Sequence, residues 1–425
     1  MNGLTDSLST WGNRQLLRAG FAWDHSHDPR LTELRTFLET RLLPFTTVTS
    51  APGAAAPGIG YAGVPHGLVK IHQLLERQRD QGRPTRPPLR GTIDRDAVLT
   101  GRQLPPGDLV AVGCTAEQAA RLPRRAALVL PYRLHLIVDL PAEPGAWRRN
   151  VSRRERQWGE ARRHDPEVGL EIATDDASFD WFYDHMHLPT MRERHGERAR
   201  SEKRVRAREC LYRQGMLAFV TFGGERVSGT LCVWDKATST LTLRLVGVLE
   251  GDFSLYDRGA LRVADHLLLD WADQHRISHV DFGGTEAWLS QGTFRWKRKF
   301  GARAAAAPNH LANLAVWWHA RNDTPAVRDF LVANPALERL PGGKLRAVYF
   351  EDAHRPARHD LSHSCANVTE ARTVHLDAYL ADLSADPMQS NTVTPDPAKL
   401  DPAKLDPAKG EPTDVRPPGG PTVVR

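Results

Sequence analysis

Between Met216 and Leu249 three runs, MLAFVTF, VSGTLCVWD and TLTLRLVGVL, alternate their faces. They are separated by Gly223-Gly224 and by a turn around Lys236–Ser239. A two-residue period with connections this short admits little besides an antiparallel three-strand meander. A meander must bury at least one face, and the next segments supply cover. From Asp257 to His275, Leu261, Ala264, Leu268 and Trp271 recur at helical spacing, and a short strand, His279–Gly284, follows. The fold class expected is therefore α/β, with a mixed sheet.

Upstream, Asp108–Cys114 and Leu128–Leu140 read as strands, the second interrupted at Pro131. A basic helix is expected from Trp147 to Arg163. Trp147, Val151 and Trp158 share one face, and arginines 148, 149, 153, 154, 156, 162 and 163 cover much of the rest. That face is either simply solvated or meets a polyanion. A further helix is expected over Asp176–Gly196, with Pro189 kinking or ending its first part. His185 and His187 are two apart on it and face different ways, so no metal site is expected there. Earlier still, Leu31, Leu34, Leu38 and Leu42 suggest a helix, and another is expected at roughly Leu68–Arg79. Gly58-x-Gly60-x-x-Gly63 between them matches a dinucleotide fingerprint only formally. Pro52 and Pro57 disrupt the strand-to-helix turn, and no acidic residue follows at the required distance, so a glycine-rich loop is expected.

The chain has 425 residues, too many for one ordinary domain. From about Ala385 it loses apolar content and repeats Asp-Pro-Ala-Lys three times, which reads as a disordered tail. The net charge of +6 tolerates an anionic partner without demanding one. Four scattered cysteines without a C-x-x-C pair, no membrane span and no secretory leader suggest a cytoplasmic protein with reduced thiols.

The meander, helix and short strand resemble the core of the GNAT acyltransferase fold. His279-Val280-Asp281-Phe282-Gly283-Gly284 followed by Phe294-Arg295-Trp296-Lys297-Arg298-Lys299-Phe300-Gly301-Ala302 sharpens the likeness. The pair resembles the ending of Fem-type aminoacyl transferases and of GNAT-like proteins named after cellulose or biotin biosynthesis. The arginine-rich helix before a strand at Gly169–Ala173 is similar to that group as well. The resemblance covers roughly residues 108–350. One departure stands out: Ser254 to Ala260, where acetyl-CoA-dependent members carry a multi-glycine pyrophosphate loop, holds only Gly259.

The resemblance, which covers neither the first 100 residues well nor the tail, and the composition together divide the chain into four segments. Residues 1–107 would be an additional N-terminal α/β region, a candidate degenerate GNAT half, and 108–350 the GNAT-like acyltransferase domain. Residues 351–384 would be a C-terminal helical extension and 385–425 the disordered tail. The implied activity is N-acyl transfer from acyl-CoA or aminoacyl-tRNA to an amine on a small molecule. Neither DNA nor a membrane is expected as a partner, and no cofactor is held permanently. Backbone near Val246 and Gly247 would polarise the carbonyl, and Tyr256, Asp281 and Glu286 are the candidates for moving protons. Arg258, Gly259, Gly283, Gly284, Lys297, Arg298 and Lys299 would bind donor or acceptor. Arg153, Arg154, Arg162 and Arg163 are candidate tRNA or phosphate contacts. The alternative is a non-catalytic GNAT module that binds a nucleotide or a protein.

Overall fold

The computed structural model describes residues 2–53, 55–79, 88–195, 201–381 and 383; the expected tail at 385–425 lies outside them. In chain order the strands are β1 (Phe45–Ser50), β2 (Ile59–Gly63), β3 (Leu89–Ile93), β4 (Leu109–Thr115), β5 (Ala127–Pro131) and β6 (Leu134–Asp139). Then come β7 (Val168–Ala173), β8 (Gly215–Phe222), β9 (Glu225–Asp235), β10 (Thr240–Val248), β11 (His279–Thr285) and β12 (Arg303–Ala306). The last four are β13 (Leu314–Ala320), β14 (Ala336–Arg339), β15 (Leu345–Glu351) and β16 (Val368–His375).

These build three sheets, ordered β3-β1-β2-β4-β13-β5, β12-β6-β11-β10-β9-β8-β7 and β14-β15-β16. The expected meander is β8-β9-β10, and its first turn uses Gly223 and Gly224 at φ +59° and +84°, the geometry a two-residue hairpin requires. Each of the two large sheets holds one parallel pair among antiparallel neighbours, β2 with β4 and β10 with β11.

Several expectations need correction. The glycine fingerprint is not a loop: Gly60 and Gly63 lie in β2 and are buried. A methyl group at Gly63 (φ +139°) would sit 2.2 Å from the Gly113 carbonyl of β4, so this glycine serves close strand approach. β4, expected to open the second segment at 108, pairs instead with β2 and β13 in the first sheet. Residues 351–384, expected to be helical, contribute β16 and only a short helix at Leu376–Tyr379. The leucine pattern at 31–42 does form a helix, Pro29–Phe37 continued by a wider π turn at Leu38–Leu42. Its orientation is inverted, however. Leu31, Leu34 and Leu42 face solvent while Arg35, Thr36, Glu39 and Thr40 are buried.

The chain passes between the two large sheets twice. Only Tyr132 and Arg133 separate β5 from β6, and residues 307–313 lead from β12 back into β13, between β4 and the edge strand β5 of the first sheet. β13, LAVWWHA, is buried along its whole length, as expected of a strand covered on both faces. Among the described residues no helix is long and apolar enough to cross a membrane.

Candidate active site

β10 and β11 pair in parallel over three residues only, from Thr240–His279 to Thr242–Asp281. Past that point a bulge between Leu243 and Leu245 and a second between Asp281 and Gly284 spread the strands into a wedge. The Asp-Phe-Gly-Gly sequence explains the second bulge. The Asp281 carboxylate accepts the Gly283 N–H at 2.7 Å, and Gly283 takes a left-handed φ of +77°. Both carbonyls, Gly283 and Gly284, then receive the Lys297 ammonium at 3.1 and 3.2 Å. Gly284 has no side chain because Arg133 occupies that space; a methyl group there would lie 2.2 Å from its Nε.

β6 lines the other side of β11. His135 pairs with Gly284 in register, and its Nδ1–H donates to Asp281 at 2.7 Å, which leaves Nε2 as the acceptor nitrogen. Arg133 forms an ion pair with Glu286. Asp281 is 2 % exposed. Burial, the largest influence on its carboxyl, opposes ionisation, but His135, the Gly283 amide and Lys297 together hold it below the usual carboxylate range. For Lys297, burial and the nearby Arg133 outweigh Asp281, Asp265 and Glu286 and bring the ammonium down to about 8. Arg244, the bulged residue of β10, is also desolvated and interacts electrostatically with Glu202, Asp281, Arg206 and Arg133. Its guanidinium lies 5.9 Å from the Phe21 ring, so the N-terminal helix Asn2–His25 reaches the same cluster.

Of the residues expected at the site, Asp281, Glu286, Gly283, Gly284 and Lys297 converge here. Lys297 sits at the end of the helix Gly292–Lys297, largely buried, rather than on an accessible basic strand. Its neighbours diverge from it: Arg298 Nη1 reaches the Ser364 carbonyl at 3.5 Å, and Lys299 is exposed beside Trp296. The three cations therefore do not form one cluster. Val246 and Gly247 do not face open space. The Val246 carbonyl accepts from His187 Nδ1 at 2.9 Å, Val248 N–H donates to Thr190 at 2.8 Å, and Gly247 packs on the Met186 backbone. The cover comes from a π turn, Tyr183–His187, where the missing N–H of Pro189 interrupts the regular ladder before the helix resumes over Leu188–His195.

Tyr256 is on the short helix Phe253–Asp257 with Arg194 over its ring; burial pushes its hydroxyl up, and it neighbours Thr190, which bonds Val248 at the end of β10. Arg258 is exposed, and Gly259 (φ +83°) precedes the helix Ala260–Gln274, whose first turn has no side-chain cap. In the arginine helix, now Arg153–Arg163, the buried residues are Glu155 and Gly159 rather than Trp158. Arg163 bonds Asp270 at 2.7 Å and Arg162 pairs with Asp165, whereas Arg153 and Arg154 are exposed.

Sequence reasoning missed His135, Arg133 and Arg244. The signal was present: each is a polar residue inside an apolar strand run, where a solvated or paired group must have a reason to be. A surface hollow of about 380 Å³ ringed by Asp323, Arg328, Asp352, Arg355 and Asp377 lies elsewhere, and these charges already pair with one another.

The strand order around the wedge, with one parallel pair splayed beyond its third residue, coincides with a family match. The acetyltransferase (GNAT) domain model matches residues 146–298. This segment is a GNAT domain. It runs from the residues before the arginine helix through Lys297, and the flanking strands β6 and β12 extend its sheet. No curated protein matches the sequence. Among solved structures, FemX is similar to 50 % of this chain and 72 % of its own, at 10 % identity and TM-score 0.34. The L-PGS of Bacillus licheniformis is similar over 72 % of this chain and 96 % of its own, at 10 % identity and TM-score 0.33. A GCN5-related N-acetyltransferase from Sphaerobacter thermophilus is similar over 71 % and 89 %, at 14 % identity and TM-score 0.31.

Proposed function

We propose that the protein is an N-acyltransferase that moves an acyl or aminoacyl group onto an amine of a small molecule within the wedge between β10 and β11. The observation that carries this reading is the His135–Asp281 pair set beside Lys297 and Arg133. Asp281 fixes the imidazole tautomer, so His135 Nε2 can take the proton of the attacking amine as its nitrogen bonds to the acyl carbon. Arg133 and Lys297 supply positive charge where the carbonyl oxygen becomes an oxyanion. When the bond from carbon to the leaving sulfur or ribose oxygen breaks, the Lys297 ammonium, at about 8, donates the proton that group needs. Glu286 is held by Arg133 and keeps that guanidinium in place.

Two donors fit, each with its own support. The uncapped first turn of Ala260–Gln274 beside Arg258 suits the diphosphate of an acyl-CoA. Exposed Arg153 and Arg154 suit a tRNA backbone. The test is to incubate the full chain separately with labelled acetyl-CoA and with aminoacylated tRNA, each with a panel of primary amines. Transfer that is lost in His135→Ala supports the reading and names the donor. Binding of a donor without transfer to any amine favours a non-catalytic module, and binding of neither overturns both.

A further inference from the structure

We propose that Glu39, His66 and His310 form a binding site for a divalent transition metal, with zinc as the reference ion. The three residues come from separate parts of the chain: the inverted helix, the loop after β2, and the second crossing between the sheets. One ligating atom from each lies within 4.8 Å of the other two. Glu39 Oε2, His66 Nδ1 and His310 Nε2 are all buried and none has a hydrogen-bond partner. Three convergent orphaned polar atoms are costly unless something sits among them.

The separations are those of a ligand set waiting to close. His310 Nε2 lies 3.6 Å from Glu39 Oε2, and His66 Nδ1 lies 3.9 Å from Glu39 Oε1. Tetrahedral zinc with bonds of about 2.0–2.1 Å places its ligand atoms roughly 3.3 Å apart, so only small movements are needed. Glu39 is also oriented for the task. Arg35 Nε donates to its Oε1 at 2.8 Å and leaves Oε2 turned toward the histidines.

The inward-facing polar edge of the helix at 29–42 gains a reason from this site. A helix that exposes Leu31 and Leu34 while burying Arg35 and Glu39 violates ordinary patterning, and such violations concentrate where a chain needs a site. Two histidines and one carboxylate leave at least one coordination position for water or another ligand. One contact works against the metal. Arg35 Nη2 lies 3.3 Å from His66 Nε2, which must carry the proton when Nδ1 ligates, so that contact has to open. The site should accordingly bind more weakly than a closed four-ligand centre.

This inference is independent of the acyl-transfer reading. The full chain, stripped with a chelator, is titrated with zinc against a chromophoric competitor, and cobalt is added to a parallel sample. One zinc per chain is expected, with a raised melting temperature and a cobalt spectrum free of a thiolate charge-transfer band. His66→Ala and Glu39→Gln should each weaken zinc at least about tenfold, while His164→Ala, an exposed histidine elsewhere, should not. His66 is partly exposed, so its alanine variant is expected to fold even if Glu39→Gln does not. No zinc binding by the wild type, equal binding by the His66 variant, or a thiolate band would each overturn the proposal. The first of these would leave a buried water as the occupant.

Discussion

A histidine whose Nδ1–H is tied to a buried carboxylate offers one lone pair, on Nε2, and in this protein His135 is that histidine. His135→Ala should lower the rate of acyl transfer by about 10²–10⁴-fold, and it should also cost some stability, because it leaves the buried Asp281 carboxylate without its imidazole partner. Asp281→Asn should lower the rate comparably, since an amide facing His135 favours the wrong tautomer while its oxygen can still accept Gly283 N–H. Kinetics beside thermal melts would separate the two effects, and loss of fold in either variant counts against the assignment. Lys297 predicts a pH dependence. Its folded value of about 8 lies below the ordinary 10.5, so the native state binds fewer protons than the unfolded chain between those values. Its stabilising contribution is therefore full above about 10.5 and lost as pH falls through 8. The stability of the wild type relative to Lys297→Met should rise over that window. Transfer should fall above pH 8 in the wild type as the ammonium is lost, and the methionine variant should lack that limb. At this scale the sequence showed the motif Asp281-Phe-Gly-Gly and Lys297 but not their partners. His135 and Arg133 lie some 150 residues upstream, and only the pairing of β6 with β11 brings them in.

At the scale of elements, the meander, the long helix and β11 were legible because period-two runs and tight glycine turns act locally. β1 to β3 and β13 were not. The polar or glycine-rich composition of the first three, as in Phe45–Ser50 and Ile59–Gly63, becomes strand only through neighbours distant in sequence, and β13, a short apolar run, has a period that does not tell strand from buried helix. Gly63→Ala tests that account. The added methyl would meet the Gly113 carbonyl at an unfavourable φ, and a loss of roughly 2–3 kcal/mol in denaturant unfolding is expected. No loss would mean that β2 and β4 can part there. The arginine helix divides likewise. Arg163→Ala should destabilise the fold, because it leaves the buried Asp270 with one partner fewer, whereas Arg153→Ala with Arg154→Ala should not. If tRNA is the donor, that double variant alone should flatten the salt dependence of binding by about 0.7–0.9 per lost phosphate contact, measured by filter titration.

At the scale of the whole molecule, the first sheet cannot be separated at the 107/108 boundary read from the sequence. Removing residues 1–107 takes away β1, β2 and β3 and bares the edge of β4 that pairs with β2. A chain beginning at 108 should be insoluble or unfolded by circular dichroism, and a well-folded monomer would show the boundary to be real. The two crossings between the sheets carry a mechanical consequence. Pro131, Arg133 and Leu134 of the first line the same small hollow as Leu311, Ala312 and Leu314 of the second, so the covalent links run side by side. Arg133 and His310 lie at those links, and the sheets they join share one buried core, Leu128 and Leu130 of the first packing in the same cluster as Leu134, Val280 and Phe282 of the second, so the two sheets turn as one body and the groups at the links keep their registry.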